Sequence, residues 1–546
     1  MPARLPVKYH VIISTIIISV LLAQVPIDYK LSIDNTLYRY ENITKDGLNS
    51  NSIVDIRPID KSYILLSTAN GLSYANIYNS QLDSVSFGYF DSDSLSLPRG
   101  GIPALAVKEN IVVLSGIMDT TAVTGEELMG TGIAYSIDEG ENWIYLPQPI
   151  DDIPQTGKYQ TLLWGEQEIS ALAVTTEINN ISYDLAIGGD YIYAASWAGG
   201  LRRYGPLLSN LKSWEIIPLP MDSDTSLICG QIDLGVYELN PNDPDNGGNH
   251  NHKEFSVHVM SDTIIWAGTA NGINKGIIDT DCINWIHHYT SSWDNISGNW
   301  IIGFTNQILD NGFNRFWAIT WATESHESHA LSYTDDSGEN WHVTSPSGYS
   351  EKVYNLYVNE SRIWAASESG LYVSEDGQHW EKYSRPIDSN SGEKLLTQPV
   401  LSVYSDANMW LWMGTADGIA ISNDDGEKWT IQRFWTPTDY KNTDNMLSVY
   451  PNPFLIDEYN QVGMDGHVRF IYSNIENYNS MINIYDFTMD KVVQLDDFHM
   501  VNNIESELIW NGRNEYGEQV ANGVYFCRLS LNGKYYWTKL AIVNSK

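Results

Sequence analysis

Cysteine is scarce in this chain: Cys229, Cys282 and Cys527 are the only three among 546 residues, and they lie far apart. That spacing gives no disulfide framework of the kind that staples small secreted modules. Positive charge is scarce as well. Lys and Arg number 31 against 68 Asp and Glu, a formal net charge of −37. So strong a negative field excludes nucleic acid and anionic membrane as partners. Long apolar runs are missing beyond the first two dozen residues, and nothing later approaches the roughly 18–20 residues of a membrane span. There is no P-loop, nucleophile elbow or dinucleotide fingerprint either. What the chain has is aromatic weight, 19 Trp and 34 Tyr in a composition 43% hydrophobic. Its length suffices for two domains with substantial cores.

A short turn returns four times. It reads Ser136-x-Asp138-x-Gly140-x-x-Trp143, Thr334-x-Asp336-x-Gly338-x-x-Trp341, Ser374-x-Asp376-Gly377-x-x-Trp380 and Ser422-x-Asp424-x-Gly426-x-x-Trp429. The aspartate accepts backbone N–H groups a few residues on and closes the turn. Glycine supplies a positive φ, and tryptophan starts the outgoing strand with a large buried ring. The third copy is one residue shorter. These turns resemble the Asp-box of bacterial neuraminidases, sortilin-type receptors and photosystem assembly factors, all β-propellers. There the box lies on the periphery, so the resemblance implies a structural role for Asp138, Asp336, Asp376 and Asp424.

A second signature extends the array: an apolar strand, a small-residue step, then Gly-aliphatic. Gly71-Leu72, Gly200-Leu201, Gly272-Ile273, Gly370-Leu371 and Gly418-Ile419 end such runs. The turn before Trp285 reads as a worn copy of the box, with Asp281 in place and Cys282 where glycine belongs. Together the signatures give seven units near residues 50–90, 102–147, 169–217, 254–289, 300–345, 353–384 and 398–434. Their spacing of roughly 40 to 70 residues exceeds the usual propeller period of about 40–50, as loop insertions would make it. Sheets of three or four short strands cannot bury both faces alone and must stack around an axis. The expected fold is all-β, a seven-bladed β-propeller over 28–435, with residues 37–41 as an extra strand completing the last blade. The first unit also resembles the propeller repeat of hybrid two-component sensors.

The two ends differ from this array. Residues 1–24 carry Arg4 and Lys8, an apolar run over 11–22, then Ala23: the pattern of a secretory signal peptide. Residues 436–446 form a polar linker. Residues 447–546 read as a small Ig-like β-sandwich with Asn-Gly and Tyr-Gly turns. The blocks Tyr450-Pro451-Asn452-Pro453-Phe454, Trp510-Asn511-Gly512 and Gly523-Val524-Tyr525 are similar to the C-terminal domain of type IX secretion cargo and to the Ig-like fold of the flagellar hook-capping protein. The resemblance implies a bacterium with an outer membrane, contact with its secretion machinery, and a surface or secreted destination.

Chemistry is harder to find. Sialidases on this scaffold need three converging arginines, and Arg39, Arg57, Arg99, Arg202, Arg203, Arg315, Arg362, Arg385 and Arg433 all lack the Arg-Ile-Pro context. Propeller glycanases need two carboxylates across a cleft, and Asp417 and Glu368 occupy neighbouring repeat positions. Glu324, His326, Glu327 and His329 lie close together without the His-Glu-x-x-His spacing. The loop from Asp243 to Glu254 offers Asp243, Asp245 and Glu254 at calcium-loop positions, with Gly247 removing one side-chain oxygen. Calcium there would be structural; no other cofactor is expected. The leading expectation is a secreted, non-catalytic propeller holding an extracellular glycan or protein ligand at its axial face. An extracellular glycoside hydrolase or lyase is the alternative.

Overall fold

The computed structural model describes residues 28–31, 33, 47–433 and 446–543. Excepted are 80, 123–124, 152–157, 176–179, 280–281, 291–294, 310–311, 360–361, 391–393, 451, 457–466, 474–477 and 498–504. No helix among these residues is long and apolar enough to cross a membrane.

Among the described residues, seven antiparallel sheets follow one another along the chain. We number them I to VII by their first strands: Ile53–Pro58, Gly101–Lys108, Ser182–Gly188, Glu254–Ser261, Trp300–Ile308, Val353–Asn359 and Ser402–Ser405. Each runs outward strand by strand, and every first strand packs against the first strand of the next sheet. The first strand of VII returns to that of I, where the Ser402 hydroxyl donates to the Ile53 carbonyl at 2.9 Å. Ser115 bridges II to III and Ser256 bridges IV to V in the same manner. The ring is a β-propeller.

The middle strands explain why these segments form such sheets. Arg362–Ser367 is buried from its second residue to its last, and Gly418–Ser422 is buried throughout. A strand apolar on both faces needs cover on both faces, which neighbouring sheets supply. The largest rings do this filling: Trp266, Trp285, Trp317, Trp364 and Trp412 are each wholly buried.

Two expectations change. Among the described residues sheet VII has four strands, from 402–432, and the extra strand expected over residues 37–41 lies outside the described residues. The third unit starts later than expected, at Ser182. Gln167–Leu172 instead joins Tyr159–Trp164 and Glu238–Leu239 in a separate three-stranded sheet inserted between II and IV. Cys229 and Cys282 form a disulfide across a sequence separation of 53, while Cys527 is free and buried. The bond ties the chain beside Ser226–Leu227, an added strand on sheet IV, to the start of Cys282–His288. Distance in sequence gave no sign of this pairing; the sheet creates it. Asp281 of the worn box lies outside the described residues.

Residues 446–543 form two sheets with their own core. Leu447–Tyr450, Val468–Ser473 and Glu505–Trp510 make one. Phe454–Leu455, Lys534–Val543, Gly523–Leu531, Ser480–Tyr485 and Lys491–Asp497 make the other. Phe454, Phe470, Ile482, Ile484, Cys527 and Leu540 meet between them, as alternation in a sandwich requires.

Candidate functional site

The axis of the propeller is where ligands of this fold converge, and here the chain fills it with its own N-terminal segment. In five sheets the first strand carries a β-bulge near its start, leaving one residue outside the ladder: Val54, Tyr183, Phe255, Ile302 and Tyr354. A bulge re-aims a side chain and frees a backbone group from pairing. All five residues are buried in one cluster, which Leu401 of the last sheet joins. Tyr29 and Leu31, on the single helical turn Asp28–Leu31, belong to the same cluster. The Tyr29 hydroxyl donates to the Tyr354 carbonyl at 2.5 Å, and the two rings lie 4.7 Å apart. Lys30 Nζ donates to the Tyr183 carbonyl at 2.9 Å. The acceptors are thus carbonyls of two bulged residues.

Charge surrounds this plug. The Asp184 carboxylate accepts the Leu185 and Val257 amides, and enclosure by the channel wall pushes its pKa up against the opposing pull of Lys30 and Arg57. Arg57 holds Asp55 at 3.0 Å. Burial depresses the His258 imidazole to about 4, keeping it neutral at pH 7.

The paired-carboxylate reading fails on geometry. Asp417 is 3% exposed. It accepts two hydrogen bonds at 2.7 Å from Arg469 Nη2, one at 3.3 Å from Arg433 and the Leu396 amide at 2.8 Å. His467 stands 3.4 Å away. Burial would raise this carboxyl, but the Arg469 and Arg433 guanidiniums outweigh it and hold it far below the usual range. Glu368 is exposed. A buried, cation-sealed carboxylate and an exposed one do not make an acid and a base working on one bond.

Six of the nine arginines are also committed. Arg57, Arg202, Arg203, Arg315, Arg362 and Arg433 pair with six different carboxylates, Asp55, Asp151, Glu215, Asp335, Asp425 and Asp417. Arg39 lies outside the described residues.

The four repeated turns join the third and fourth strands of sheets II, V, VI and VII, on the side of each sheet away from the axis. In the first, Ser136 Oγ donates to Asp138 at 2.6 Å and accepts the Gly140 amide at 2.9 Å, while Asp138 accepts the Asn142 amide at 2.9 Å. Thr334, Asp336, Gly338 and Asn340 repeat this set. So do Ser422, Asp424, Gly426 and Lys428. In the shorter copy Gly377 follows Asp376 directly, and the aspartate gathers the Gln378 and His379 amides. Each glycine has φ between +77° and +96°, which only glycine adopts without strain. These hydrogen bonds hold the Asp138 and Asp336 carboxyls down to about 2. Trp341 and Trp429 are buried, Trp143 and Trp380 partly so.

The remaining candidates do not assemble. Asp243 accepts Lys253 Nζ at 2.5 Å with His250 at 3.5 Å, whereas Glu254 is wholly buried on the inner strand of sheet IV. Asp245 stays exposed on the turn Pro244–Asn246. Among the described residues no three acidic, His or Cys side chains gather as a metal site. Glu327 ties its loop together through the Thr323 amide, and His329 Nδ1 accepts the Ala322 amide. Beside the buried Arg202–Asp151 pair, burial pushes the Glu254 carboxyl well up. The Leu201 amide opposes this only weakly, and neither Glu254 oxygen makes a hydrogen bond of good geometry. Between sheets I and II opens a polar cleft of about 170 Å³ lined by Asn49, Asn70, Tyr89, Phe90, Asp91 and Ser92. Neither this cleft nor the plug has a local sequence signature.

No family model matches this chain, and no curated protein does. Solved structures similar to it are β-propeller proteins. YCF48 from Cyanidioschyzon merolae is 12% identical, covering 71% of this chain and all of its own, with a TM-score of 0.39. PorZ of Porphyromonas gingivalis, a surface component of the type-IX secretion system, is 12% identical over 92% of this chain and all of its own, with a TM-score of 0.23. The extracellular domain of the putative hybrid two-component system BT3049 from B. thetaiotaomicron is 10% identical over 91% of this chain and 85% of its own, with a TM-score of 0.32. At these identities and TM-scores, these likenesses carry no argument about what this chain does.

Proposed function

We propose that this chain is an exported, non-catalytic surface β-propeller that holds an extracellular glycan or protein ligand. Residues 1–24 act as its signal peptide, 28–435 as the ligand-holding propeller, and 447–546 as the module read by an outer-membrane secretion route. The observation that carries the non-catalytic reading is Asp417: the carboxylate on the Gly-aliphatic step of sheet VII, one of the two considered for chemistry, is spent on two arginines and a histidine. The four Asp-box-like turns, on the outer hairpins, have structural work of their own. The Cys229–Cys282 bond suits an oxidising compartment reached by export. A net charge of −37 suits a protein that stays soluble outside the cell.

The test is a glycan-array screen of the full chain, with product analysis of every glycan retained. Retention without cleavage supports the reading. Cleavage of a retained glycan would replace it with the glycoside hydrolase or lyase alternative, and no retention would direct attention to a protein ligand.

A further inference from the structure

We propose that the axial channel is a peptide-binding site, occupied in this structure by the chain's own Asp28–Leu31. Its ligand class is a segment in which an aromatic residue precedes a basic one. This rests on the reading of the propeller as a ligand-binding protein and gives that ligand a chemistry.

The site is built by repetition. Five inner strands, those of sheets I, III, IV, V and VI, place their bulged residue, Val54, Tyr183, Phe255, Ile302 or Tyr354, in the cluster around Tyr29, while the first strand of sheet II breaks register over residues 102 and 103 instead. A bulge costs ladder pairing, and one repeated at the same position presents both side chains and backbone groups to the axis. Two of those residues use their carbonyls on the segment, Tyr354 for the Tyr29 hydroxyl and Tyr183 for the Lys30 ammonium. Main-chain carbonyls of the channel therefore read side-chain donors of the segment, not merely apolar bulk. Charge fits the second position: the Asp184 carboxylate follows Tyr183 on the wall that Lys30 reaches.

The segment belongs to none of the seven sheets. Side-chain docking of Tyr29 and Lys30 contributes to its hold, with Leu31 buried beside them. Docking of that kind works equally for a peptide supplied from outside, because nothing in it depends on continuity with the first strand. The covalent link only raises the local concentration of the resident segment.

The experiment uses the full chain and the full chain carrying Tyr29→Ala and Lys30→Ala together. A fluorescein-labelled peptide of residues 26–33, with the wild-type sequence, is titrated by polarisation. The double variant is expected to bind it saturably, and the wild-type chain about tenfold more weakly because its own segment competes. The same peptide with both alanines is expected not to compete. A double variant that is folded by circular dichroism but does not bind the peptide overturns the proposal. Should the variant fail to fold, refolding with the wild-type peptide is the second measurement: recovery of the native spectrum supports the site, and no recovery overturns it. A glycan retained on the array while the peptide fails would leave the proposed function standing and remove only this inference.

Discussion

Arg469, on the first sheet of the C-terminal sandwich, donates to both oxygens of Asp417, on the Gly-aliphatic step of sheet VII, at 2.7 Å. Both side chains are at least 97% buried. The sandwich is thereby seated on the propeller, and Tyr450 adds an apolar contact beside the first and last sheets. Asp417→Ala would leave two buried guanidiniums facing each other, with an expected loss of about 3–5 kcal/mol. Arg469→Ala should cost less, since Arg433 and His467 still face the carboxylate. Urea denaturation of both variants and their double measures the coupling. Because the folded Asp417 pKa is depressed, its contribution is complete above the ordinary carboxylate range and disappears only as pH falls through the depressed value. Acidification from pH 7 to 5 should leave the seat intact.

Glu254 has the opposite sign. Its folded pKa is raised by burial, so folding binds a proton that the unfolded chain releases, and stability falls as pH rises above the unfolded value. Glu254→Gln keeps the shape and removes the ionisation. Its melting temperature is expected to exceed the wild type's by a few degrees at pH 8 and to match it near pH 4. Equal curves at both pH values would show that Glu254 finds a partner for its charge.

The Cys229–Cys282 bond closes a 53-residue separation. Replacing both by serine should cost about 2–4 kcal/mol and expose the 226–239 region to protease before the sheets themselves yield. Limited proteolysis with mass mapping reads that order.

The loop from Asp243 to Glu254 has a direct calcium test. A cation there must displace the Lys253 ammonium from Asp243 and would have no reach to the buried Glu254. Millimolar calcium and chelator are therefore expected to give the same melting temperature. A calcium-dependent rise that vanishes in Asp245→Ala would establish the loop as a site.

Most of the ring was legible in the sequence because its signals are local. A Gly-aliphatic step, an Asx-closed turn and a following Trp lie within about a dozen residues of each other, so Thr334 to Trp341 announces its own hairpin. The inserted sheet was not legible, because the parallel partner of Ser170–Ala171 is Glu238–Leu239. The disulfide, the Asp417–Arg469 pair and the docking of Tyr29 against Tyr354 are likewise made by closure of the ring. They join residues whose proximity no local pattern encodes. Asp417 shows the consequence: its position suggested a candidate acid, while the partners that neutralise it, Arg433 and Arg469, come from further along the chain.

The central claim is that the chain's own Tyr29 closes the axis. Hydrogen–deuterium exchange of the full chain, comparing the peptide that covers residues 28–33 with the one that covers Val353–Asn359, tests it most directly. Occupation of the channel gives slow exchange in both, with Tyr29→Ala releasing the first while the second stays protected. Rapid exchange across 28–33 in the wild-type chain would mean an open axis and would contradict the account.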